Sequence, residues 1–100
     1  MKLRFTTRAA NELESVLDYV ASHSPGGARR VHMRIKSVFD MLVYYPKAGA
    51  QSTHPRLRRL IINPYPYLIY YEVTADEVVI HSVRHTARNP DEIGQGRNED

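Results

Sequence analysis

The chain is 100 residues long, 42% hydrophobic and 25% charged, the profile of one ordinary globular domain rather than a disordered polymer. It has no cysteine, so disulfides, thiolate metal sites and thiol nucleophiles are excluded. The formal net charge is +3 and no apolar run is long enough to span a bilayer, so a cytoplasmic protein with no membrane role is expected.

Lys2-Leu3-Arg4-Phe5 alternates polar and apolar and predicts a short first strand. Thr6 or Thr7 can cap the helix that follows, because a hydroxyl oxygen accepts from a free backbone N–H of the first turn. Along that helix Ala10, Leu13, Val16, Leu17 and Val20 recur at spacings of three and four, with Glu12, Glu14 and Asp18 away from the stripe. Ser24-Pro25-Gly26-Gly27 breaks it near His23 and also opens a second helix, with Ser24 as N-cap and Pro25 at the first helical position. Ala28, Val31, Ile35, Val38, Phe39 and Leu42 form a second apolar stripe, and Arg29, Arg30, Arg34 and Lys36 make the outer surface basic. Tyr44-Tyr45-Pro46 ends this helix, and a loop runs from Lys47 to about Pro55.

Three runs rich in β-branched and aromatic residues follow: Leu57 to Ile62, Tyr67 to Val73, and Glu77 to Val83. Turn residues separate them, which predicts an antiparallel meander. The expected fold is α+β, in the order β-α-α-β-β-β, with the two-helix hairpin packed on a twisted, mainly antiparallel sheet. Both faces of the strands are apolar, so the covered face stays open: Leu68 and Tyr70 point one way, Tyr67, Ile69, Tyr71 and Val73 the other. Residues 1–93 read as one domain and 94–100 as a flexible acidic tail.

Chemistry is mostly excluded. His81 and His85 lie about 13 Å apart on a strand, and the other histidines have no ligand-spaced partner, so no metal or cofactor is expected. Pro25-Gly26-Gly27-Ala28 lacks the Gly-Lys-Ser/Thr that grips a nucleotide. No serine sits in a nucleophile elbow, and Glu72 stands almost alone among the strands. What remains is cationic: Arg58 and Arg59 on one strand, Arg84, His85 and Arg88 at the end of another. Arginine forks bind phosphate or carboxylate, and Tyr67, Tyr70 and Tyr71 can stack or pack beside them. The structural alternative pairs these arginines with Glu72, Asp91 and Glu92. Residues 1–74 hold eleven Lys/Arg against five Asp/Glu, so an anionic partner, nucleic acid or acidic protein, fits the body of the chain.

Several pieces in order resemble the toxins of the RelE/ParE superfamily of bacterial type II toxin–antitoxin systems. They are Ala9-Ala10-Asn11-Glu12-Leu13, Pro25-Gly26-Gly27-Ala28, the Leu42 to Gly49 exit with Pro46, Arg58 before the hairpin, the tyrosine-rich strand Tyr67 to Val73, and the closing Val78 to Arg88. The resemblance implies a growth inhibitor neutralised by a cognate antitoxin, ParD-like or similar, in a hetero-oligomer, with a role such as plasmid stabilisation. It also implies target-binding residues Arg84, His85, Arg88, Arg58 and Arg59, and antitoxin contacts Leu17, Tyr67, Tyr71 and Arg84. Two activities divide the superfamily: poisoning of DNA gyrase, and ribosome-dependent, metal-independent mRNA cleavage. No tyrosine follows Tyr71, where many nuclease members carry one after the last strand, and His85-Thr86-Ala87 stands instead. That departure favours a gyrase inhibitor over an enzyme. The alternatives are the nuclease, with Arg58, Arg84 and His85 as its catalytic candidates, and a non-toxic antitoxin-binding homologue.

Overall fold

A computed structural model describes residues 1–87. Arg88 and the expected tail at 94–100 lie outside the described residues. The elements are β1 (Lys2–Phe5), α1 (Thr7–His23), α2 (Pro25–Tyr44), β2 (Ala50–Gln51), β3 (Arg58–Ile61), β4 (Tyr67–Val73) and β5 (Glu77–His85). They form one five-stranded sheet in the order β1-β5-β4-β3-β2. β1 runs parallel to β5, and the other pairs are antiparallel.

Local chemistry sets the helix ends. Thr6 Oγ1 accepts from the Ala9 N–H at 3.0 Å, closing the first turn of α1. Ser24 alone separates the helices: its N–H donates to the Val20 carbonyl at 2.7 Å, and its Oγ accepts from Gly27 N–H at 3.1 Å. A β-carbon at Gly27 would lie 2.9 Å from that Oγ, so the cap and the glycine require each other. One residue therefore ends one helix, starts the next, and makes the hairpin as tight as the Ser-Pro-Gly-Gly text predicts.

The helices cover one face of the sheet. Val31, Ile35, Val38, Phe39 and Leu42 of α2 and Ala9 of α1 pack with Ile62, Tyr67, Ile69, Tyr71, Val78, Ile80 and Val83. Burying such side chains contributes about 1.5–3 kcal/mol each. Leu57, Leu68 and Tyr70 form a separate cluster on the other face. The choice left open by residue counting thus falls to the side with more large apolar groups.

Two features depart from the expected text. β2 is an added two-residue edge strand within the segment read as loop, pairing Ala50 with Arg59 and Gln51 with Arg58. Ala-Gln carries no strand signal of its own, and the pairing is imposed by the loop that precedes it. The second departure is an irregularity in the β4–β5 register. Tyr70 pairs with Ser82 but Tyr71 pairs with Ile80, leaving His81 as an extra residue in β5. Strict alternation would put Val83 on the face of Val79. The bulge returns Val83 to the helix-covered core and turns Arg84 away from it.

Candidate functional site

The register distributes the cationic residues. Arg58 pairs with Tyr71, Arg59 with Tyr70, Leu68 with Arg84, and Tyr67 with His85. Arg58 and His85 therefore share the helix-covered face, whereas Arg59 and Arg84 lie on the outward face. Strand spacing and rise place the α-carbons of Arg58 and His85 about 16 Å apart. Arg84 and His85, neighbours in the chain, point to opposite sides of the sheet. The same measure puts Arg59 and Arg84 about 12 Å apart on one face, flanking Tyr70 and Leu68. The expected set Arg58, Arg84 and His85 does not meet at one point. The pair brought together is Arg59 and Arg84.

Each residue on the covered face has a structural occupation. The Arg58 Nη1 donates to the Gly49 carbonyl at 2.8 Å. Tyr71 is fully buried; its hydroxyl donates to the Pro46 carbonyl and accepts from Gly49 N–H, both at 2.8 Å. A β-carbon at Gly49 would lie 2.7 Å from both the Tyr71 hydroxyl and the Arg59 carbonyl, so only glycine lets the loop close here. Burial pushes the Tyr71 phenol above its ordinary range, against the opposing pull of the Gly49 hydrogen bond and Arg58. Burial also raises Tyr67, with Tyr19 adding to the effect. The Tyr67 ring meets His85 edge-on at 5.4 Å, and His85 Nδ1 accepts from Ala87 N–H at 2.9 Å. Tyr67 and Tyr71 are positions of the core, not open surface.

The end of β5 is organised by a residue set aside above as lying off the apolar stripe. Glu12 of α1 accepts from Ser82 Oγ at 2.7 Å and from Val83 N–H at 2.9 Å through one oxygen, Oε1. Its other oxygen accepts from Arg8 Nε at 3.2 Å. β1 pairs with β5 only as far as Ile80, so the strand edge beyond it is uncovered by β1, and the carboxylate of Glu12 caps it. Ser82 is buried, and its hydroxyl in turn accepts from Arg84 Nε at 3.2 Å. Arg8, Glu12, Ser82 and Arg84 thus form one line of polar contacts from helix to outward face. The signal in the text was Ser82 itself, a hydroxyl amid apolar strand residues that demands an acceptor once buried. Beside this line the extra residue His81 places Nε2 3.0 Å from Glu72 Oε1. Glu72 is committed to a histidine, not to the arginines.

Leu17 lies at the surface in an open groove of about 380 Å³, lined by Phe5, Ala10, Leu13, Leu17, Glu14 and Asp18. Among the described residues no three histidine, aspartate or glutamate side chains are grouped to hold a metal. None of the described helices is long and apolar enough to cross a membrane.

The family model for the ParE toxin of the type II toxin–antitoxin system parDE matches residues 3–90. The chain belongs to the ParE toxin family. It is similar to Toxin RelE2 of Caulobacter vibrioides, 39% identical over 84 residues that span 84% of this chain and 93% of that protein. It is also similar in structure to a chain of the chromosomal ParDE system from P. aeruginosa, with TM-score 0.74 and 25% identity. That match covers 85% of this chain and 95% of the other. As a type II toxin, this ParE-family chain keeps the superfamily frame of two helices on a mixed sheet. Its Leu42-to-Gly49 exit now has a physical cause, since Pro46 and Gly49 are the two backbone partners of the Tyr71 hydroxyl.

Proposed function

We infer that this ParE-family toxin arrests growth by binding and poisoning DNA gyrase in the cytoplasm, and that a cognate ParD-like antitoxin neutralises it. The observation that carries the reading is the division of the cations between two faces. General acid–base cleavage of a phosphodiester needs its groups within hydrogen-bond reach of one phosphate. Arg58 and His85 instead lie on the covered face, whereas Arg84, donating to Ser82, lies on the outward one. A face that carries Arg59 and Arg84 around the buried Leu68 and Tyr70 suits recognition of an acidic partner rather than chemistry. The groove at Leu17 is the seat proposed for an apolar stretch of the antitoxin, which gives the complex its hetero-oligomeric character.

The nuclease reading keeps one specific observation in its favour. His81 and Glu72 form a hydrogen-bonded pair at 3.0 Å on the outward face, an arrangement that can move a proton. One experiment separates the two. Antitoxin-free protein is added to a gyrase supercoiling and DNA-cleavage assay and, in parallel, to a translating extract probed for cut mRNA. Blocked supercoiling or trapped cleaved DNA with intact mRNA is expected. Cut mRNA with unaffected gyrase would overturn the gyrase reading and put His81 and Glu72 first among catalytic candidates.

A further inference from the structure

The outward side of α2 is not accounted for by the fold or by the strand-end cations. Its inward positions Val31, Ile35, Val38, Phe39 and Leu42 are buried. On the opposite side of the 3.6-residue repeat stand Arg29, Arg30, Met33, Ser37, Asp40 and Tyr44. Met33 is 64% exposed, Tyr44 80%, and Tyr45 at the C-cap 68%, so half of the six large exposed hydrophobics of the described chain lie on this helix or its C-cap. Single exposed apolar residues need no explanation, but here Met33 beside the arginines and the two tyrosines at the C-terminal end mark both ends of one helix face.

The charges on that side are equally lopsided. Asp40 is the one acid of α2, and it is taken by Lys36 Nζ at 3.0 Å. Arg34 is turned to the Asn63 carbonyl and the Ser37 hydroxyl. Among the described residues no acid pairs with Arg29 or Arg30, which sit in the first turns of α2 where the helix dipole adds to their positive potential. Met33 and Tyr44 are eleven residues apart, about 16 Å along the axis. The surface is therefore a helix three turns long between its apolar contacts, with free guanidiniums at one end and two phenols at the other.

Tyrosine, methionine and arginine are the residue types enriched at the centres of protein interfaces, where lysine and glutamate are depleted. A second copy of this face offers Arg29 and Arg30 no unpaired carboxylate, since Asp40 is held by Lys36. A phosphate backbone satisfies the arginines but offers nothing for Met33 and the exposed Tyr44 and Tyr45 side chains. We propose that the outward face of α2 is a protein-docking surface for an acidic partner, with carboxylates facing Arg29 and Arg30 and an apolar recess receiving Tyr44. The partner is the toxin's protein target, so the proposal rests on the reading that this toxin acts on a protein. It adds to the strand-end cations a second surface on a different element.

The test compares wild type with Arg29→Glu/Arg30→Glu and with Tyr44→Ala, each positioned on the solvent side so that melting temperature should not move. Growth arrest on induction is measured in cells, and inhibition of purified gyrase holoenzyme in vitro. Antitoxin binding serves as a control for folding. Both variants are expected to need about tenfold more protein, or higher still, for half-inhibition of gyrase. Arg29→Lys/Arg30→Lys should recover most of the loss, since charge is retained. Variants that inhibit gyrase as well as wild type would overturn the docking surface while leaving the gyrase reading intact. A wild-type protein that leaves gyrase untouched and cuts mRNA, with cutting lost in the charge-reversal variant, would overturn both and make the face an RNA contact.

Discussion

The two sides of the sheet solve one structural problem in different ways. On the β4–β3 side, the end of α2 and the loop after it are tied down by a neutral, fully buried hydroxyl, Tyr71, and by the Arg58 guanidinium on the Gly49 carbonyl. On the β5 side, α1 is tied down by a carboxylate, Glu12, that receives the Ser82 hydroxyl and the Val83 N–H. The first tie consumes its cation. The second passes through Ser82 to Arg84 and leaves that side chain on the outward face. Two arginines that look alike in the text, each in a polar-apolar strand end, thus belong to different parts of the molecule. The bulge at His81 is what separates them, since without it Arg84 would share the face of Ile80.

That comparison can be broken most severely at the neutral tie. Tyr71→Ala removes a buried aromatic together with both of its backbone hydrogen bonds, and should cost about 3–5 kcal/mol in urea unfolding. Tyr71→Phe keeps the ring and isolates the hydroxyl; stranding the Gly49 N–H and the Pro46 carbonyl should cost about 1–3 kcal/mol. If Tyr71→Phe leaves the urea midpoint unchanged, the loop is held by something other than this hydroxyl.

The charged tie should give a smaller loss of stability and a larger loss of function. Glu12→Ala orphans the buried Ser82 hydroxyl and the Val83 N–H, for about 1–3 kcal/mol. Ser82→Ala leaves the Val83 bond intact and removes both hydroxyl contacts, the one to Glu12 Oε1 and the one from Arg84 Nε. It should cost less stability than Glu12→Ala while weakening growth arrest if Arg84 must be oriented. Equal losses of stability and toxicity would make the whole line a structural brace.

A milder contrast is set by pH. Tyr71 and Tyr67 are both held above their ordinary value, near 10, chiefly by burial. A raised folded pKa leaves the stabilising contribution whole below the unfolded value and removes it as pH climbs through the folded one. Stability should therefore be flat through neutral pH and begin to fall above about pH 10. Tyr67→Phe should flatten part of that decline, as read from urea midpoints at pH 8 and pH 11. A decline of the same depth in the variant would assign it to other groups.

The sequence made the helices, their caps and the strand runs legible because each is written in local chemistry: a hydroxyl before a turn, a proline at a helix start, apolar residues at a fixed spacing. Thr6 and Ser24 cap where the residue types say they can. The two-residue β2 was not legible, since Ala50 and Gln51 pair only because the Pro46-to-Gly49 loop delivers them beside Arg59 and Arg58. The site suffered most from the bulge. Alternation assigns strand faces by counting, and one unpaired residue at position 81 reverses every assignment after it. Glu12 was hidden for a related reason: it lies off the apolar stripe, where a glutamate ordinarily meets water, but the strand edge it faces extends past the end of β1. Of the contacts expected from the resemblance, Leu17 alone lines the open groove, whereas Tyr67 and Tyr71 are built into the core.

The most direct test of this division is a side-by-side measurement of melting temperature and growth arrest for Arg58→Ala and for Arg59→Ala/Arg84→Ala. The account predicts that Arg58→Ala loses stability, and toxicity only in proportion, because its guanidinium is a clamp on Gly49. The outward double variant should lose less stability than Arg58→Ala, Arg59 being exposed, and yet lose growth arrest. An outward variant that remains fully toxic would contradict the claim that the outward cations carry the function.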